Sequence, residues 1–201
     1  MNKRPYKRVP ALLCAVLCLL LMAGCTGASQ SVEPQPAPTE ALLPEAFPMD
    51  FTFASGAGGW ATYLTLEQDG SFTGDFHDSN MGEAGDGYPN GSVYFCSFSG
   101  RFGDIKQLDD RTWSMTLMEL TIRDKVGTEE IEEGVRYVAS DPYGMDGGTE
   151  FLLYAPETPV DGLDEDLLSW WPGRYTYGEE PSDTLSYYGL YNREMGYGFF
   201  A

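Results

Sequence analysis

The chain has 201 residues and a formal charge of −19, from 12 Lys and Arg against 31 Asp and Glu. This length allows one ordinary domain or two small ones, and the 14% aromatic content argues against a wholly disordered chain. The acidic balance disfavours nucleic acid as a partner, because phosphate binding needs a positive surface.

The first 24 residues predict a signal peptide rather than a folded element. Four Lys or Arg, with no acidic residue among them, precede an almost entirely apolar run over residues 9–23. The run has the length of a signal-peptide core and is short for a membrane span. We therefore assign residues 1–24 to a leader that is removed from the mature protein.

The apolar run ends at residues 21–25, Leu-Met-Ala-Gly-Cys. This sequence resembles the lipobox of bacterial lipoproteins. The resemblance implies that the Cys25 thiol carries a diacylglyceryl group and that the leader is cut immediately before Cys25. The alternative is an ordinary secretory signal cut after small residues. The predicted location is extracytoplasmic, with the lipid on Cys25 anchoring the chain to the bacterial cell membrane.

The cysteines agree with this interpretation. Cys14 and Cys18 lie in the leader, Cys25 would carry the lipid, and Cys96 alone remains in the mature domain, so no disulfide framework is predicted. Removing residues 1–24 takes the formal charge from −19 to −23. Such a surface is repelled by anionic headgroups and would stand away from the membrane on its tether. The alternative, which we favour, is that the charge serves solubility alone.

Residues 25–48 are predicted to be the lipidated cysteine and a linker. This stretch is rich in proline and has no helical or strand periodicity, which favours an extended spacer. The folded domain is predicted over residues 49–201, long enough for one hydrophobic core.

The clearest local prediction is a hairpin around Gly70. Apolar residues alternate over residues 60–67 and again over 71–78. A three-residue loop over 68–70 places Leu66 opposite Phe72 and makes the two apolar faces agree. The register therefore predicts this loop, with Gly70 in the left-handed conformation.

The rest of the domain also indicates strands. A long loop over residues 82–91 is followed by an alternating strand and by a hairpin that turns near Asp109 and Asp110. The apolar face changes between Leu117 and Met118, which predicts a bulge or a corner. Further strands are predicted over VRYVAS, TEFLLYAP, TLSYYGLYN and MGYGFF, and one short helix near residues 163–171.

This pattern predicts an all-β fold, either a barrel or a sandwich, and we favour a single antiparallel β-barrel. Gly58 and Trp60 form a G-x-W sequence at the start of the first long strand, which resembles the signature of lipocalin-like (calycin) barrels. The resemblance implies that Trp60 plugs one end of the barrel, with Arg193 as a conceivable partner. The pattern W-x3-L-x-L-x3-G-x-F-x-G from Trp60 also resembles small bacterial lipoproteins, which imply a fold and no activity.

Catalytic chemistry finds little support in the sequence. His77 is the only histidine, and no nucleophile elbow accompanies it. Cys96 lies among aromatic residues, as a packed core thiol would. The acidic runs over 129–133 and 164–166 are typical of solvated faces. We assign no catalytic residue and no cofactor.

A metal site is likewise not assigned. Residues 78–80 begin like a calcium-binding loop, but position six is Glu83 and position twelve is Pro89, where glycine and glutamate are expected. An irregular calcium site that uses Asp78, Asn80, Glu83 and Asp86 stays open as an unfavoured alternative.

Two classes of function remain. The first is a barrel that binds a small apolar or glycan-like molecule, with Trp60, Trp113, Trp170 and Trp171 as candidate ligand-binding residues. The second is a packed barrel with a surface that binds protein or glycan. For the adjacent Trp170 and Trp171 we favour packing over ligand binding, with the helix using both to close one end of the barrel. A hydrolase is less favoured, because nothing fixes a pair of carboxylates at a catalytic separation.

Overall fold

A computed structural model describes residues 42–174 and 180–201. Within these ranges it contains ten strands and one short helix. The strands are β1 (Met49–Ala54), β2 (Trp60–Leu66), β3 (Ser71–Asn80), β4 (Ser92–Asp109), β5 (Thr112–Ile122), β6 (Glu129–Glu132), β7 (Val135–Ala139), β8 (Glu150–Tyr154), β9 (Gly189–Asn192) and β10 (Tyr197–Phe200), and the helix is α1 (Glu165–Ser169).

Eight of these strands form a closed antiparallel barrel. Their order around the barrel is β1-β2-β3-β4-β5-β8-β9-β10, and β10 pairs with β1 to close it. Closure leaves no free edge in this ring, which is how small all-β domains avoid edge-to-edge association. The predicted all-β single antiparallel barrel is therefore confirmed, and the sandwich alternative is not.

Alternation along the strands fills the barrel with side chains. Every second residue of β2 and β3, and of β4 as far as Phe102, points inward, because successive side chains leave opposite faces of a strand. The buried core includes Phe51, Phe53, Leu64, Leu66, Phe72, Phe76, Cys96, Phe98, Phe102, Trp113, Met115, Phe151, Leu153, Leu190 and Phe199. The middle of the barrel is thus packed, as small eight-stranded barrels often are.

The hairpin of β6 and β7 lies outside the ring. Strand β7 pairs in parallel with the first residues of β4, and β6 pairs with β7. The space is available because β5 reaches along the same edge of β4 only as far as Phe98. VRYVAS does form a strand as predicted, but it extends the sheet instead of joining the barrel.

Helix α1 begins at the N-cap Asp164, whose side chain accepts a hydrogen bond from the Asp166 amide. It buries Leu167 and Leu168 in a second apolar cluster with Trp171, against the outside of the sheet. The helix predicted near residues 163–171 is thus present and short. No helix in the described ranges has the length and hydropathy needed to cross a membrane.

The chain enters the barrel before Met49. Leu43 and Phe47 are both buried in the main core, and the Leu43 amide donates to the Gln68 carbonyl at 3.2 Å. These residues lie N-terminal to the boundary at residue 49 that proline content predicts. The packed domain therefore extends at least to Leu43.

Candidate functional site

The candidate site is a pocket at one end of the barrel, where β2 begins, β3 ends and β4 begins. Trp60 pairs with Asp78, and Asp78 pairs with Tyr94 on the next strand. Each of these residues lies on the inward-facing side of its strand, so the three side chains meet at one rim of the barrel. Phe76 lies one inward position deeper, as the floor of the pocket.

The remaining wall is the loop between β7 and β8, residues 140–149. The Thr62 hydroxyl donates to the Tyr143 carbonyl at 2.6 Å, and the Asn192 amide donates to the Gly144 carbonyl at 3.0 Å. The side chain of Met145, which belongs to this loop, is fully buried. Because two barrel strands hold its backbone, the loop forms a fixed wall to the pocket.

This mouth pocket is open to solvent, has a volume of about 470 Å³ and is lined by Trp60, Phe76, Asp78, Tyr94, Ser140, Asp141, Tyr143 and Asp146. Half of the lining residues are aromatic, and three are aspartates. Such a volume suits a small molecule, and apolar walls with a few polar groups are typical of ligand sites.

The aromatic floor is tightly packed. The Phe53 ring centre lies 4.8 Å from that of Trp60 and 5.3 Å from that of Tyr143, and Trp60 and Tyr143 are 5.0 Å apart. Burial, followed by a hydrogen bond with Tyr197, raises the pKa of Tyr143 to about 12. Tyr143 therefore stays uncharged above the pH at which an ordinary tyrosine ionises.

A hydrogen-bonded network fixes the rim beside Tyr94. The Tyr94 hydroxyl donates to the Glu83 carboxylate at 2.8 Å, and the Arg136 guanidinium donates to the same carboxylate at 2.6 Å. The hydrogen bond from Tyr94, followed by Arg136, lowers the pKa of Glu83. Arg136 thus links the β6–β7 hairpin to the rim, and its charge is matched by Glu83 and by Glu129 at 3.9 Å.

Of the four tryptophans predicted as ligand-binding residues, only Trp60 lines this pocket. Trp170 packs 6.1 Å from Trp60, but its indole donates to the Gly196 carbonyl and lines a separate surface groove. Trp113 is buried in the main core and Trp171 in the second cluster. The structure therefore does not bring the four together into one site.

Tyr143, Asp141 and Asp146 are not among the residues predicted from the sequence, and they lie in the loop between β7 and β8. Nothing in that segment's pattern indicates that it folds over the barrel. Asp78 could have been identified from the sequence, because it lies on the same face of β3 as the buried Phe72 and Phe76. A carboxylate on the apolar face of a strand is unusual enough to mark a site.

The other candidate residues lie elsewhere. Arg193 forms an exposed ion pair with Glu150 at 3.2 Å, so it is not the partner that the calycin resemblance implies for Trp60. The ring of His77 stacks on Tyr63 at 6.1 Å on the outer face of the barrel. Cys25 lies outside the described residues.

The structure does not assemble the irregular calcium site. Asp78 lines the mouth pocket, whereas Glu83 is engaged by Tyr94 and Arg136, and the Asn80 side chain accepts from the Gly82 amide. Across residues 42–174 and 180–201, no group of three or more His, Cys, Asp or Glu is arranged to hold a metal ion.

Cys96 is a packed core thiol, as its aromatic neighbours predict. Burial, with a further contribution from Asp141, raises the pKa of the Cys96 thiol to about 11. At pH 8 this lowers the thiolate fraction roughly 100-fold relative to an ordinary cysteine. The folded state also binds the thiol proton more tightly, so its stability should fall as the pH rises from about 9 toward 11.

We therefore expect Cys96 to react with a disulfide reagent such as DTNB at least about 100-fold more slowly in the folded chain than in the unfolded chain. The measurement uses residues 26–201 at pH 8, in which Cys96 is the only cysteine. The same protein in guanidinium chloride is the control. Prompt reaction of the folded protein would contradict a buried thiol.

Comparison of the chain with protein-family models, with curated proteins and with solved structures finds no match. The fold and the pocket define the class: a closed eight-stranded antiparallel β-barrel with a pocket at its mouth. This architecture is consistent with a lipocalin-like fold.

Proposed function

We propose that this protein is a lipid-anchored extracytoplasmic β-barrel that binds a small molecule in its mouth pocket. The observation that carries the proposal is the pocket itself, about 470 Å³ between aromatic rings and aspartates. Its volume lies within the roughly 300–1,000 Å³ typical of small-molecule sites. The packed floor and the fixed loop mean that little ordering is needed when a ligand binds.

The ligand would lie at the mouth and not in the middle of the barrel. Phe72, Phe98 and Phe102 occupy the interior with ring contacts of 4.9 to 6.3 Å. A bound molecule would therefore keep one side accessible at the rim. That arrangement suits a protein that captures or presents a ligand outside the membrane.

The location is part of the proposal and rests on residues 1–25. A basic start, an apolar run and the Gly24-Cys25 junction occur together, which supports a lipid anchor on Cys25. The chain between Cys25 and the packed residue Leu43 would then serve as the tether.

A surface interaction module is the second candidate, and one observation favours it. A groove of about 380 Å³ lies beside the β6–β7 hairpin, with Val93, Phe95 and Ala139 among its apolar residues. Glu129, Glu130 and Glu132 also line it, so its partner would be basic. A hydrolase is the third and least favoured class, since no described contact marks one mouth carboxylate as a proton donor.

The test is native mass spectrometry of residues 26–201, with the denatured mass as reference. We expect additional mass that is lost on denaturation and is absent from an Asp141→Trp variant, whose bulky ring would fill the mouth. Asp110→Trp, in the exposed β4–β5 turn, is the matched control and should keep the additional mass. A clean apo mass for the parent protein and both variants would shift the proposal to the packed interaction module.

A further inference from the structure

We propose that the ligand of the mouth pocket is a small organic cation of the alkylammonium class. This inference rests on the proposed function and adds to it the chemistry of the ligand.

The lining of the mouth pocket is strongly negative. Asp78, Asp141 and Asp146 contribute carboxylates, and the lining includes no Lys, Arg or His. The Asp146 carboxylate accepts from the Gly144 amide at 3.1 Å, whereas no ion pair in the described ranges involves Asp78 or Asp141. The pocket therefore has negative charge that its own residues do not neutralise.

Two basic residues on elements next to the pocket, Arg136 on β7 and His77 on β3, are directed elsewhere. Arg136 binds Glu83 and lies over the Tyr88 ring at 4.8 Å, with only 17% of its side chain exposed. His77 has the opposite parity to Asp78 on β3 and stacks against Tyr63 outside the barrel. Neither group provides a counter-ion within the pocket.

The rings add a second preference for positive charge. Trp60, Phe76, Tyr94 and Tyr143 all line the pocket, and the faces of aromatic rings attract ammonium groups. The preference is strongest for alkylammonium ions, which are large and weakly hydrated. Their methyl groups can contact the rings while their charge faces the carboxylates.

Other ligand classes fit less well. An anion would be repelled by the three aspartates. A neutral sugar could stack on the rings and donate hydroxyl hydrogen bonds to the carboxylates, but it would leave their negative charge without a counter-charge. A hard metal ion needs a shell of oxygen ligands, and half of the lining residues are aromatic.

The charge of the whole chain acts in the same direction. With a formal charge of −19, or −23 without residues 1–24, the surface raises the local concentration of cations. Long-range attraction of this kind speeds the encounter, whereas the pocket would supply the selectivity.

The experiment compares two probes that differ in charge and hardly at all in shape. Choline and its carbon isostere 3,3-dimethylbutan-1-ol are titrated by calorimetry into the full chain, purified in a non-ionic detergent. We expect choline to bind at least 10-fold more tightly than the isostere. Its affinity should fall with added salt, because the attraction is electrostatic.

Isosteric variants locate the site. Asp78→Asn and Asp141→Asn should each weaken choline binding at least 5-fold, because each removes one carboxylate from the pocket and keeps its shape. Asp110→Asn makes the same change of net charge in the exposed β4–β5 turn and should leave the affinity unchanged. Equal losses in all three variants would mean a general charge effect and would overturn the inference.

Two further results would also overturn it. If the isostere or a neutral disaccharide binds as tightly as choline, and Asp141→Trp blocks it, the pocket is a ligand site for neutral molecules and the proposed function stands. If neither probe nor the disaccharide binds, the cation inference fails. The proposed function is then decided separately by the co-purified mass, so the two failures can be distinguished.

Discussion

Replacing Phe53 with alanine is expected to lower the free energy of unfolding by about 3–5 kcal/mol, the usual cost of deleting a buried phenylalanine ring. Phe53 is only 1% exposed and is the centre of the aromatic cluster beneath the mouth pocket. Its ring centre lies within 4.7 to 5.3 Å of those of Trp60, Tyr143, Trp170, Tyr197 and Phe199. Since small domains are stable by only about 5–15 kcal/mol, this one change removes a large part of the stability of the barrel.

Tyr63→Ala is the matched control for this loss. Tyr63 lies on the outer face of β2 and is 51% exposed, so removing its ring should cost much less than removing that of Phe53. Urea unfolding of both variants, followed by circular dichroism, measures the difference. Equal destabilisation of the two variants would show that the cluster is not the centre of the core. Phe53→Leu, which retains an apolar side chain, should recover part of the loss.

The hairpin around Gly70 shows how much local structure the sequence determines. Leu66 pairs with Phe72 and Leu64 with Gly74, and Gly70 has a φ of 83°, all as the register of the two faces predicts. The prediction succeeds because one face is buried, so a slip of one residue would expose every apolar side chain.

The predicted irregularity near Met118 is confirmed for the same reason. Arg101 pairs with Glu119 and the next residue, Phe102, pairs with Leu117, which leaves Met118 as an extra residue in β5. Met118 is 59% exposed, in agreement with a bulge that carries its side chain away from the core. The extra residue explains why the apolar face changes between Leu117 and Met118 in the sequence.

Alternation of apolar residues could not predict strand β6 or the pairing of β7. All four residues of β6 are exposed, so its sequence, Glu-Glu-Ile-Glu, shows no alternation from which to predict a strand. The parallel pairing of β7 with β4 joins segments more than 40 residues apart. The periodicity of apolar residues can predict that a segment is a strand, but it does not predict which strand a strand outside the barrel pairs with.

The mouth pocket was only partly predictable for a related reason. Trp60 and Asp78 lie on strands whose inward parity can be read from the sequence, whereas Asp141, Tyr143 and Asp146 lie on a loop. The position of that loop depends on side chains distant in sequence, such as Thr62 and Asn192. Ligand sites on loops held by distant residues are therefore the part of a barrel that strand patterns describe least.

Replacing Cys25 with serine is expected to abolish lipid attachment completely, since only a thiol can accept the diacylglyceryl group through a thioether bond. Two acyl chains hold a protein stably on a membrane, because each buried methylene contributes about 0.8 kcal/mol. Without the two acyl chains, cleavage of the leader before residue 25 should also fail, so the variant should keep residues 1–24. Metabolic labelling with an alkyne fatty acid measures the lipid, and the intact mass measures the processing.

Cys96→Ser is the matched control for the labelling, because it removes the single thiol of the packed barrel and leaves the Gly24-Cys25 junction intact. This variant should be labelled and processed like the parent chain, although the buried hydroxyl should lower its stability. Persistent label in Cys25→Ser would show that the lipid is attached elsewhere. A parent chain that is unlabelled and is cleaved after a small residue other than Gly24 would indicate an ordinary secreted protein. The barrel, with its formal charge of −23, would then be released from the membrane altogether.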